Sequence, residues 1–183
     1  GTPLLAVPEL RQKLGPIIAR YYGEPARRLR VVGLTGTDGK TSCAHFIAQA
    51  LGAGDSGPCG ILGTLGAGVY GRTEPSPHTT PDPLAVQRWL AGLVAGGRRF
   101  AVMEVSSHAL EQGRVNGVEF AAAVLTNITR DHLDYHGSLA AYTAAKRRLF
   151  LEHQPRWSVL NLDDACGRDL AAGLRDSQPV VGY

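Results

Sequence analysis

The chain has 183 residues, a length that suits a single domain with a sizeable buried core. Its 19 basic and 16 acidic residues give a net charge of +3, and because the basic residues are scattered rather than grouped, we expect no nucleic-acid partner. No apolar run approaches the roughly 20 residues of a membrane span, and the three cysteines lack metal-type spacing, so we expect reduced thiols in a protein of the cytoplasm.

The predicted elements alternate between helices and strands along the chain. Residues 7–25 have the apolar spacing of a lead-in helix, which Pro16 is expected to kink or split. After it, the pattern predicts strands at residues 29–34, 60–63, 100–105, 120–125 and 157–161, and helices at residues 41–51, 83–95, 139–151 and 164–174. Residues 73–83, which are rich in proline, are expected to form an extended loop. This order predicts an α/β fold in which helices cover both faces of a parallel sheet.

The stretch "VVGLTGTDGKTS", residues 31–42, joins the first predicted strand to the helix that follows. Gly36 and Gly39 allow a tight turn with inward-pointing N–H groups, at which the next helix directs its positive end. Lys40 would then reach the outer phosphates of a nucleotide, and Thr41 would offer a hydroxyl to Mg²⁺. Leu34 stands where the usual pattern has its first glycine, and the alternative is an ordinary glycine turn that caps a helix. We favour a phosphate-binding loop within a three-layer fold of the P-loop NTPase type.

Most of the other unusual polar residues directly follow predicted strands, so we expect them at one edge of the sheet. Glu104 ends a strand in "AVMEVSSH", where it is a candidate magnesium ligand; the alternative is a surface glutamate that pairs with Arg98 or Arg99. Lys146, in "AYTAAKRRLF", has the spacing of an exposed lysine on an amphipathic helix.

Two further stretches leave their role open. The stretch "DHLDYH" contains four side chains that can bind metal: Asp131, His132, Asp134 and His136. By itself it favours a metal-dependent hydrolase, and the alternative is a solvated helix start with capping aspartates. In "LEQGR", Gln112 and Arg114 are either part of an ordinary loop or a carboxylate site, since arginine can hold a carboxylate through two parallel bonds.

Taken together, these stretches resemble the Mur ligases of peptidoglycan synthesis, and within them the MurE group, the UDP-N-acetylmuramoyl-L-alanyl-D-glutamate ligases that add the third residue of the stem peptide. Six motifs occur in the family's order: "TGTDGKTS", "HTTPD", "MEVSSHALEQGRV", "TNITRDHLDYHGS", "AYTAAKRRLF" and "NLDD". The resemblance extends from about residue 22 to residue 182. The family's loop is Thr-Gly-Thr-X-Gly-Lys-Thr followed by Thr or Ser, so Leu34 need not be glycine.

The resemblance implies a cofactor set of ATP and Mg²⁺ and a role for each motif residue. ATP would bind at the loop residues Gly36, Thr37, Asp38, Gly39, Lys40, Thr41 and Ser42. Magnesium would bind at Thr41, Glu104, His132 and Lys146, with Lys146 carried as a carbamate (N6-carboxylysine), and the catalytic set would be Lys40, Glu104, His132 and Lys146. The muramoyl-dipeptide end of the substrate would be held by His78, Thr79, Thr80, Ser106, Gln112 and Arg114.

The implied reaction forms an amide bond in two stages. ATP phosphorylates the side-chain carboxylate of the D-glutamyl residue, and the amine of an incoming diamino acid then displaces phosphate. Positioning and charge neutralisation by Lys40 and Mg²⁺ should dominate catalysis. No nucleophilic serine is required, so neither Ser106 nor Ser107 is interpreted as one. We expect a monomer whose partners are these two substrates.

The family has three domains, of which this chain resembles one. Residues 1–28 resemble the end of the first domain, which holds the uridine nucleotide, and residues 29–183 resemble the central ATP-binding domain. Nothing resembles the third domain, which selects the added amino acid, so we expect the chain to bind nucleotide weakly and not to complete ligation alone. Asp38 and His78 each replace a usual asparagine.

Three other functions compete with this interpretation. The first is a nucleotide-binding module without catalysis, and the second is the metal-dependent hydrolase at "DHLDYH". The third is a sister ligase that adds glutamate to folates and shares the loop and the fold. The motifs "HTTPD", "EVSSHALEQGR" and "DHLDYHG" favour the muramoyl-peptide branch over the folate branch.

Overall fold

A single mixed sheet organises the part of the chain that the computed structural model describes, which is Leu4 and residues 6–54 and 57–183. Within these residues the strands are β1 (Arg30–Thr35), β2 (Gly60–Gly63), β3 (Gly66–Val69), β4 (Arg72–Glu74), β5 (Phe100–Glu104), β6 (Ala122–Leu125), β7 (Ser158–Leu160) and β8 (Val180–Gly182). The helices are α1 (Leu10–Tyr21), α2 (Lys40–Gly52), α3 (Pro83–Ala95), α4 (Ser107–Glu111), α5 (Leu133–His136), α6 (Leu139–Leu151) and α7 (Ala165–Leu174), and a 3₁₀ turn covers Pro25–Arg28.

The strand order is β4-β3-β2-β5-β1-β6-β7-β8, and the six strands from β2 to β8 in this order run parallel. The predicted α/β fold is therefore confirmed, with β1 at the centre of the parallel part. Strands β3 and β4 pair antiparallel with their neighbours and were not predicted, and neither was β8. Strand β4 includes Thr73 and Glu74, which the sequence placed in the extended loop.

The antiparallel edge consists of two consecutive tight hairpins. Two residues, Thr64 and Leu65, connect β2 to β3, and two more, Tyr70 and Gly71, connect β3 to β4. Gly71 has φ +85°, which suits the turn types that join such closely spaced strands. The first hairpin brings Thr64 to the edge of the sheet at which β1 and β5 end.

Two apolar cores pack on opposite faces of the sheet, because alternate strand residues point to opposite sides. On β5, Val102 belongs to the core that α2 covers, while Ala101 and Met103 belong to the larger core that α3, α6 and α7 cover. All three of these residues are completely buried. The predicted coverage of both faces is confirmed, with α2 on one side and α3, α6 and α7, together with Leu110 of α4, on the other.

Helix α1 is continuous through Pro16, so the expected break does not occur. Proline has no N–H group, which removes the helical donor to the carbonyl four residues earlier, that of Gln12. The side-chain amide of Asn116 donates to this carbonyl over 3.0 Å and replaces the lost bond. Part of the lead-in segment, residues 1–3 and 5, lies outside the described residues.

Polar side chains cap the starts of α3, α6 and α7, whereas α2 begins without a side-chain cap. Asp82 caps α3 by accepting from the N–H groups of Leu84 (2.9 Å) and Ala85 (3.0 Å). Ser138 and Asp164 cap α6 and α7 in the same way. In Leu4 and residues 6–54 and 57–183, no helix has the length and apolar character needed to cross a bilayer.

Candidate active site

The glycine loop between β1 and α2 is tied to the loop that follows β6. The N–H of Thr37 donates to the carbonyl of Asn127 over 2.8 Å, and the N–H of Asp38 donates to the Asn127 Oδ1 atom over 3.0 Å. The Thr126 hydroxyl donates to the Asp38 carbonyl over 2.7 Å. These bonds fix the glycine loop against Thr126 and Asn127, the two residues that follow β6.

Gly36 is required by both its conformation and its surroundings. Its φ is +146°, and a Cβ atom at this position would lie 1.9 Å from the Thr126 hydroxyl oxygen. Any larger residue would push the loop away from β6. Gly39, in the left-handed conformation with φ +78°, then turns the chain into α2, so that Lys40 is the first residue of this helix.

Two lysine ammonium groups converge on one carbonyl oxygen of this loop. Lys40 Nζ donates to the carbonyls of Gly36 (2.9 Å) and Thr37 (2.7 Å), and Lys146 Nζ donates to the Gly36 carbonyl over 2.6 Å. Burial lowers the pKa of Lys40, against the opposing charge of Glu104. Burial and the nearby Lys40 lower the pKa of Lys146 to about 7. Lys146 is 2% exposed, so the interpretation of an exposed helix lysine is wrong.

Tyr142, one helical turn before Lys146, links this lysine to the glycine loop. Its ring centroid lies 4.6 Å from Lys146 Nζ, a cation–π contact, and its hydroxyl lies 3.0 Å from that of Thr37. Tyr142 is completely buried. Tyr142 was not predicted for the site, although a tyrosine four residues before a candidate lysine lies on the same face of a helix.

Glu104 ends β5 and presents its carboxylate to the same place. The carboxylate accepts from the Thr41 hydroxyl at both oxygens (2.9 and 3.0 Å) and from the Thr64 N–H over 2.9 Å. Gly63 leaves room for it, since a Cβ atom there would lie 2.1 Å from Oε1. Glu104 is 2% exposed, so the alternative of a surface ion pair with Arg98 or Arg99 is wrong.

These groups line one pocket of about 280 Å³ at the carboxyl ends of β1, β2 and β5. Its predicted residues are Thr37, Asp38, Gly39, Lys40, Thr41, Ser42, Thr79, Glu104, Ser106, His132 and Lys146. Four further lining residues were not predicted for the site: Thr64, Ser107, Asp131 and Tyr142. Thr64 follows a predicted strand, which was the available signal for it.

Comparison with known proteins decides the family. The sequence pattern of the Mur ligase middle domain matches residues 34–183. The chain belongs to the Mur ligase family. A curated relative from Alkalilimnicola ehrlichii, named UDP-N-acetylmuramoyl-L-alanyl-D-glutamate--2,6-diaminopimelate ligase, is 55% identical over 183 residues, which are 100% of this chain and 36% of the relative. The chain therefore spans little more than a third of that relative's length.

Solved structures agree with this assignment of the Mur ligase fold. A structure of a UDP-N-acetylmuramoyl-L-alanyl-D-glutamate--2,6-diaminopimelate ligase superposes with a TM-score of 0.87 and 37% identity, over 98% of this chain and 37% of that one. A folylpolyglutamate synthase from Mycobacterium tuberculosis superposes with a TM-score of 0.71 and 17% identity, over 94% of this chain and 47% of that one. The second likeness is one of fold alone.

Some residues expected to hold substrate lie beside the pocket of this Mur ligase domain rather than in it. Thr80 is completely buried; its hydroxyl donates to the Glu104 carbonyl (2.8 Å) and accepts from the Ser106 N–H (3.0 Å). Arg114 donates twice to Gln112 Oε1 (2.9 and 2.7 Å) and once to the Thr80 carbonyl (2.7 Å). Gln112 in turn donates to the Tyr135 hydroxyl over 3.0 Å. This network supports the pocket wall, and direct substrate contact by these residues stays a prediction.

His78 lies on the exposed loop before these residues and does not line the pocket. The carbonyl of His78 accepts from the Ser76 hydroxyl over 2.8 Å. Its expected contact with substrate also stays a prediction.

In the part of the chain that the structure describes, the "DHLDYH" segment does not assemble a transition-metal centre, and the Mur ligase family match favours the ligase over the metal-dependent hydrolase. Within the described parts of the chain, no group of three or more histidine, cysteine, aspartate or glutamate side chains can hold a metal ion. His132 precedes the one-turn helix α5 and His136 ends it, and the His108 ring lies near both, with its centroid 5.0 Å from that of His132 and 5.4 Å from that of His136. His132 is half exposed beside Asp131, whereas the His136 side chain is 2% exposed and contacts α4.

Proposed function

We propose that this chain is the ATP-binding middle domain of an enzyme that adds a diamino acid to UDP-N-acetylmuramoyl-L-alanyl-D-glutamate. The observation that carries the proposal is the convergence of Lys40 and Lys146 on the Gly36 carbonyl, beside the buried Glu104 carboxylate, in one pocket. The curated relative named above is a 2,6-diaminopimelate ligase, which favours diaminopimelate as the diamino acid.

The pocket fits a nucleotide triphosphate with magnesium. The glycine loop leads into α2, so the positive end of this helix faces the same pocket that Lys40 approaches. The Thr41 hydroxyl and the Glu104 carboxylate are oxygen donors in direct contact, the kind of ligand that Mg²⁺ prefers. We propose that Thr41, Glu104 and His132 take part in holding Mg²⁺ and that residues 36–42 hold ATP.

Lys146 is proposed to carry a carbamate. An amine with a pKa of about 7 has a free nitrogen lone pair in about half of the molecules at pH 7. The lone pair can add to CO₂ with release of one proton, and the product is an oxygen-donor anion. The lowered pKa of Lys146 and its place in the pocket wall support this modification. The carbamate would then face the same pocket as Thr41 and Glu104 and complete the proposed magnesium ligands.

The residues of the chain would act mainly by position and charge. ATP supplies the phosphoryl group that activates the D-glutamyl side-chain carboxylate as an acyl phosphate. Lys40 would neutralise charge on the transferring phosphoryl group, and the fixed loop would orient it. The diamino acid's amine then displaces phosphate. Ser106 and Thr79, at the pocket wall, are proposed to contact the muramoyl-dipeptide end, with Thr80, Gln112 and Arg114 behind them.

We also propose a domain organisation for the complete enzyme. Residues 29–183 would form the middle domain, and residues 1–28 would be the end of a preceding domain that holds the uridine nucleotide. A following domain would select the amino acid. Within this proposal the enzyme is a cytoplasmic monomer, and this chain alone binds nucleotide weakly without completing ligation.

Calorimetry on the chain itself tests the nucleotide site. We expect binding of a non-hydrolysable ATP analogue that strengthens with Mg²⁺ and is lost in Lys40→Met, while Lys13→Met, an exposed lysine on α1, changes nothing. Addition of ¹³C-labelled bicarbonate should give a carbamate signal in the ¹³C NMR spectrum that is absent from Lys146→Met. Analogue binding that is unchanged by Mg²⁺ and by the Lys40→Met substitution would contradict the proposed site.

Ligation itself is tested in the full-length parent of this domain. We expect ATP-dependent formation of the tripeptide precursor from the muramoyl-dipeptide and diaminopimelate. The competing function, a nucleotide-binding module without catalysis, predicts analogue binding by the same pocket but no product from the full-length protein. The retained set of Lys40, Glu104 and Lys146 around one pocket favours the catalytic function.

A further inference from the structure

Three side chains form a hydrogen-bonded chain from the pocket towards solvent. Ser107 is a buried residue of the pocket wall, and its hydroxyl oxygen lies 3.0 Å from His136 Nε2. His136 Nδ1 lies 3.1 Å from Glu111 Oε2. The His136 side chain is 2% exposed, whereas that of Glu111 is 48% exposed, so the chain begins in the pocket and ends at the surface.

The partners of His136 determine the direction of these hydrogen bonds. A carboxylate only accepts, so the neutral imidazole carries its proton on Nδ1, which faces Glu111. Nε2 is then an acceptor, and the Ser107 hydroxyl donates to it. The Ser107 oxygen keeps its lone pairs for a group in the pocket. The order carboxylate, imidazole and hydroxyl is the one that makes a hydroxyl oxygen basic in catalytic triads.

We propose that Ser107, His136 and Glu111 form a proton relay that accepts a proton from the ammonium group of the incoming diamino acid. The inference rests on the proposed ligase function and adds a step to it. An ammonium group has no lone pair and cannot attack an acyl phosphate, so a proton must leave it first. Ser107 would contact the amine, and His136 and Glu111 would act through Ser107.

The protons and electron pairs of the step balance. The ammonium group gives one proton to the Ser107 oxygen while the Ser107 hydroxyl proton moves to His136 Nε2, which leaves a neutral amine and an imidazolium. The amine lone pair forms the bond to the acyl carbon, and the carbon–oxygen bond breaks with its electron pair on phosphate. The second amine proton leaves with the phosphate. Glu111 stabilises the imidazolium, which loses its proton to solvent when product leaves.

Charged and titratable side chains of two helices surround His136. Glu111 and His108 face it from α4, and the His108 ring centroid lies 5.4 Å away. Tyr142 faces it from α6 with ring centroids 5.4 Å apart, and Arg147 and Arg148 of α6 and the following Glu152 line the groove beside it. An imidazolium at His136 would have the Glu111 carboxylate as its direct partner and the two arginines in the same groove.

A comparison of two nucleophiles tests the relay in the full-length parent. Hydroxylamine is a neutral nucleophile at pH 7 and needs no deprotonation before it attacks an acyl phosphate. We expect His136→Gln to slow amide formation with diaminopimelate by about 100-fold and to leave ATP-dependent hydroxamate formation with hydroxylamine at the parent rate. The matched control is His153→Gln, a half-buried histidine beside Phe120 on another part of the domain, which should affect neither rate.

A pH series and a second variant complete the test. The diaminopimelate rate of His136→Gln should recover as the pH rises, because solvent then deprotonates the ammonium group. Ser107→Ala, which leaves the histidine in place, should show the same selective loss. Equal losses with both nucleophiles, or an unchanged pH profile, would overturn the relay and leave His136 a structural residue. Absence of hydroxamate from the unsubstituted protein would instead overturn the ligase function, and the relay with it.

Discussion

Lys40 and Lys146 donate to the same backbone oxygen, that of Gly36, over 2.9 and 2.6 Å. Burial lowers the pKa of both lysines, and the charge of Lys40 lowers that of Lys146 further. Burial of two adjacent ammonium groups is unfavourable in free energy, which is why the pKa of Lys146 is lowered so far. The pair places the Lys146 amine, with its lowered pKa, beside a second buried lysine at the pocket.

The lowered pKa of Lys146 predicts how the stability of the unmodified domain depends on pH. The folded pKa is about 7, whereas an unfolded lysine titrates near pH 10, so the unfolded state binds more protons between these values. The free energy of unfolding should therefore rise from pH 7 to pH 8.5 without added bicarbonate. Lys146→Met should lose this contribution and be more stable at pH 7, because it removes a buried charge.

Urea unfolding at each pH measures this difference. The control Lys13→Met changes an exposed lysine and should keep the full pH slope. Taking the difference between each variant and the parent cancels the contributions of other titrating groups. Parallel pH profiles for the parent and Lys146→Met would contradict the lowered pKa.

Asp38 places a negative charge beside the proposed phosphate site. Its backbone is fixed by Asn127 and Thr126, so substitution of the exposed side chain should leave the loop intact. We expect Asp38→Asn to tighten binding of an ATP analogue by about two- to fivefold, a modest effect because the charge is screened by solvent. Calorimetry at two salt concentrations measures it. Weaker binding by Asp38→Asn would show that the carboxylate helps the site instead.

Gly36 should tolerate no side chain. In Gly36→Ala the new Cβ would overlap the Thr126 hydroxyl at 1.9 Å, in a backbone conformation with φ +146°. We expect loss of analogue binding and a lower urea midpoint. Gly54→Ala is the matched control, because a Cβ there meets nothing within 4 Å and the residue lies outside the pocket. Full analogue binding by Gly36→Ala would mean that the loop has another conformation in solution.

Gln87 on α3 is a buried amide that weakens the core. It is 1% exposed, and neither its side-chain nitrogen nor its oxygen has a hydrogen-bond partner among the described residues. We expect Gln87→Leu to raise the free energy of unfolding by about 1–3 kcal/mol, since the unmet cost of desolvating the amide is removed. Gln178→Leu should lower it, because the Gln178 amide donates to the Ser158 hydroxyl over 2.9 Å. Urea unfolding of both variants decides the point.

The sequence predicted the local features of the site better than the packing of distant segments around it. The glycine loop between a strand and a helix is a local pattern, and both Gly36 and Lys40 lie where that pattern placed them. The burial of Glu104 and Lys146 depends on elements far apart in the chain. Residue spacing alone was therefore also compatible with exposed side chains at both positions. The family resemblance, not periodicity, singled out Lys146.

The missed parts have identifiable physical causes. Strand β3 has only four residues, two of which are glycines with low β propensity, and strand β4 has only three residues, so hairpin pairing rather than composition defines both strands. The relay residues Ser107 and His136 come from segments that meet only in the folded chain. The continuous path of α1 through Pro16 depends on Asn116, a contact that no local pattern encodes.

The contact between α1 and Asn116 also has a mechanical consequence. Gly15 packs so closely on this residue that a Cβ atom would lie 2.0 Å from the Asn116 carbonyl oxygen, and Asn116 follows Arg114 by only two residues. Helix α1 therefore packs directly on the 113–117 turn. We expect a tilt of this helix to displace the 113–117 turn and with it Arg114, which donates to the Thr80 carbonyl behind the pocket wall.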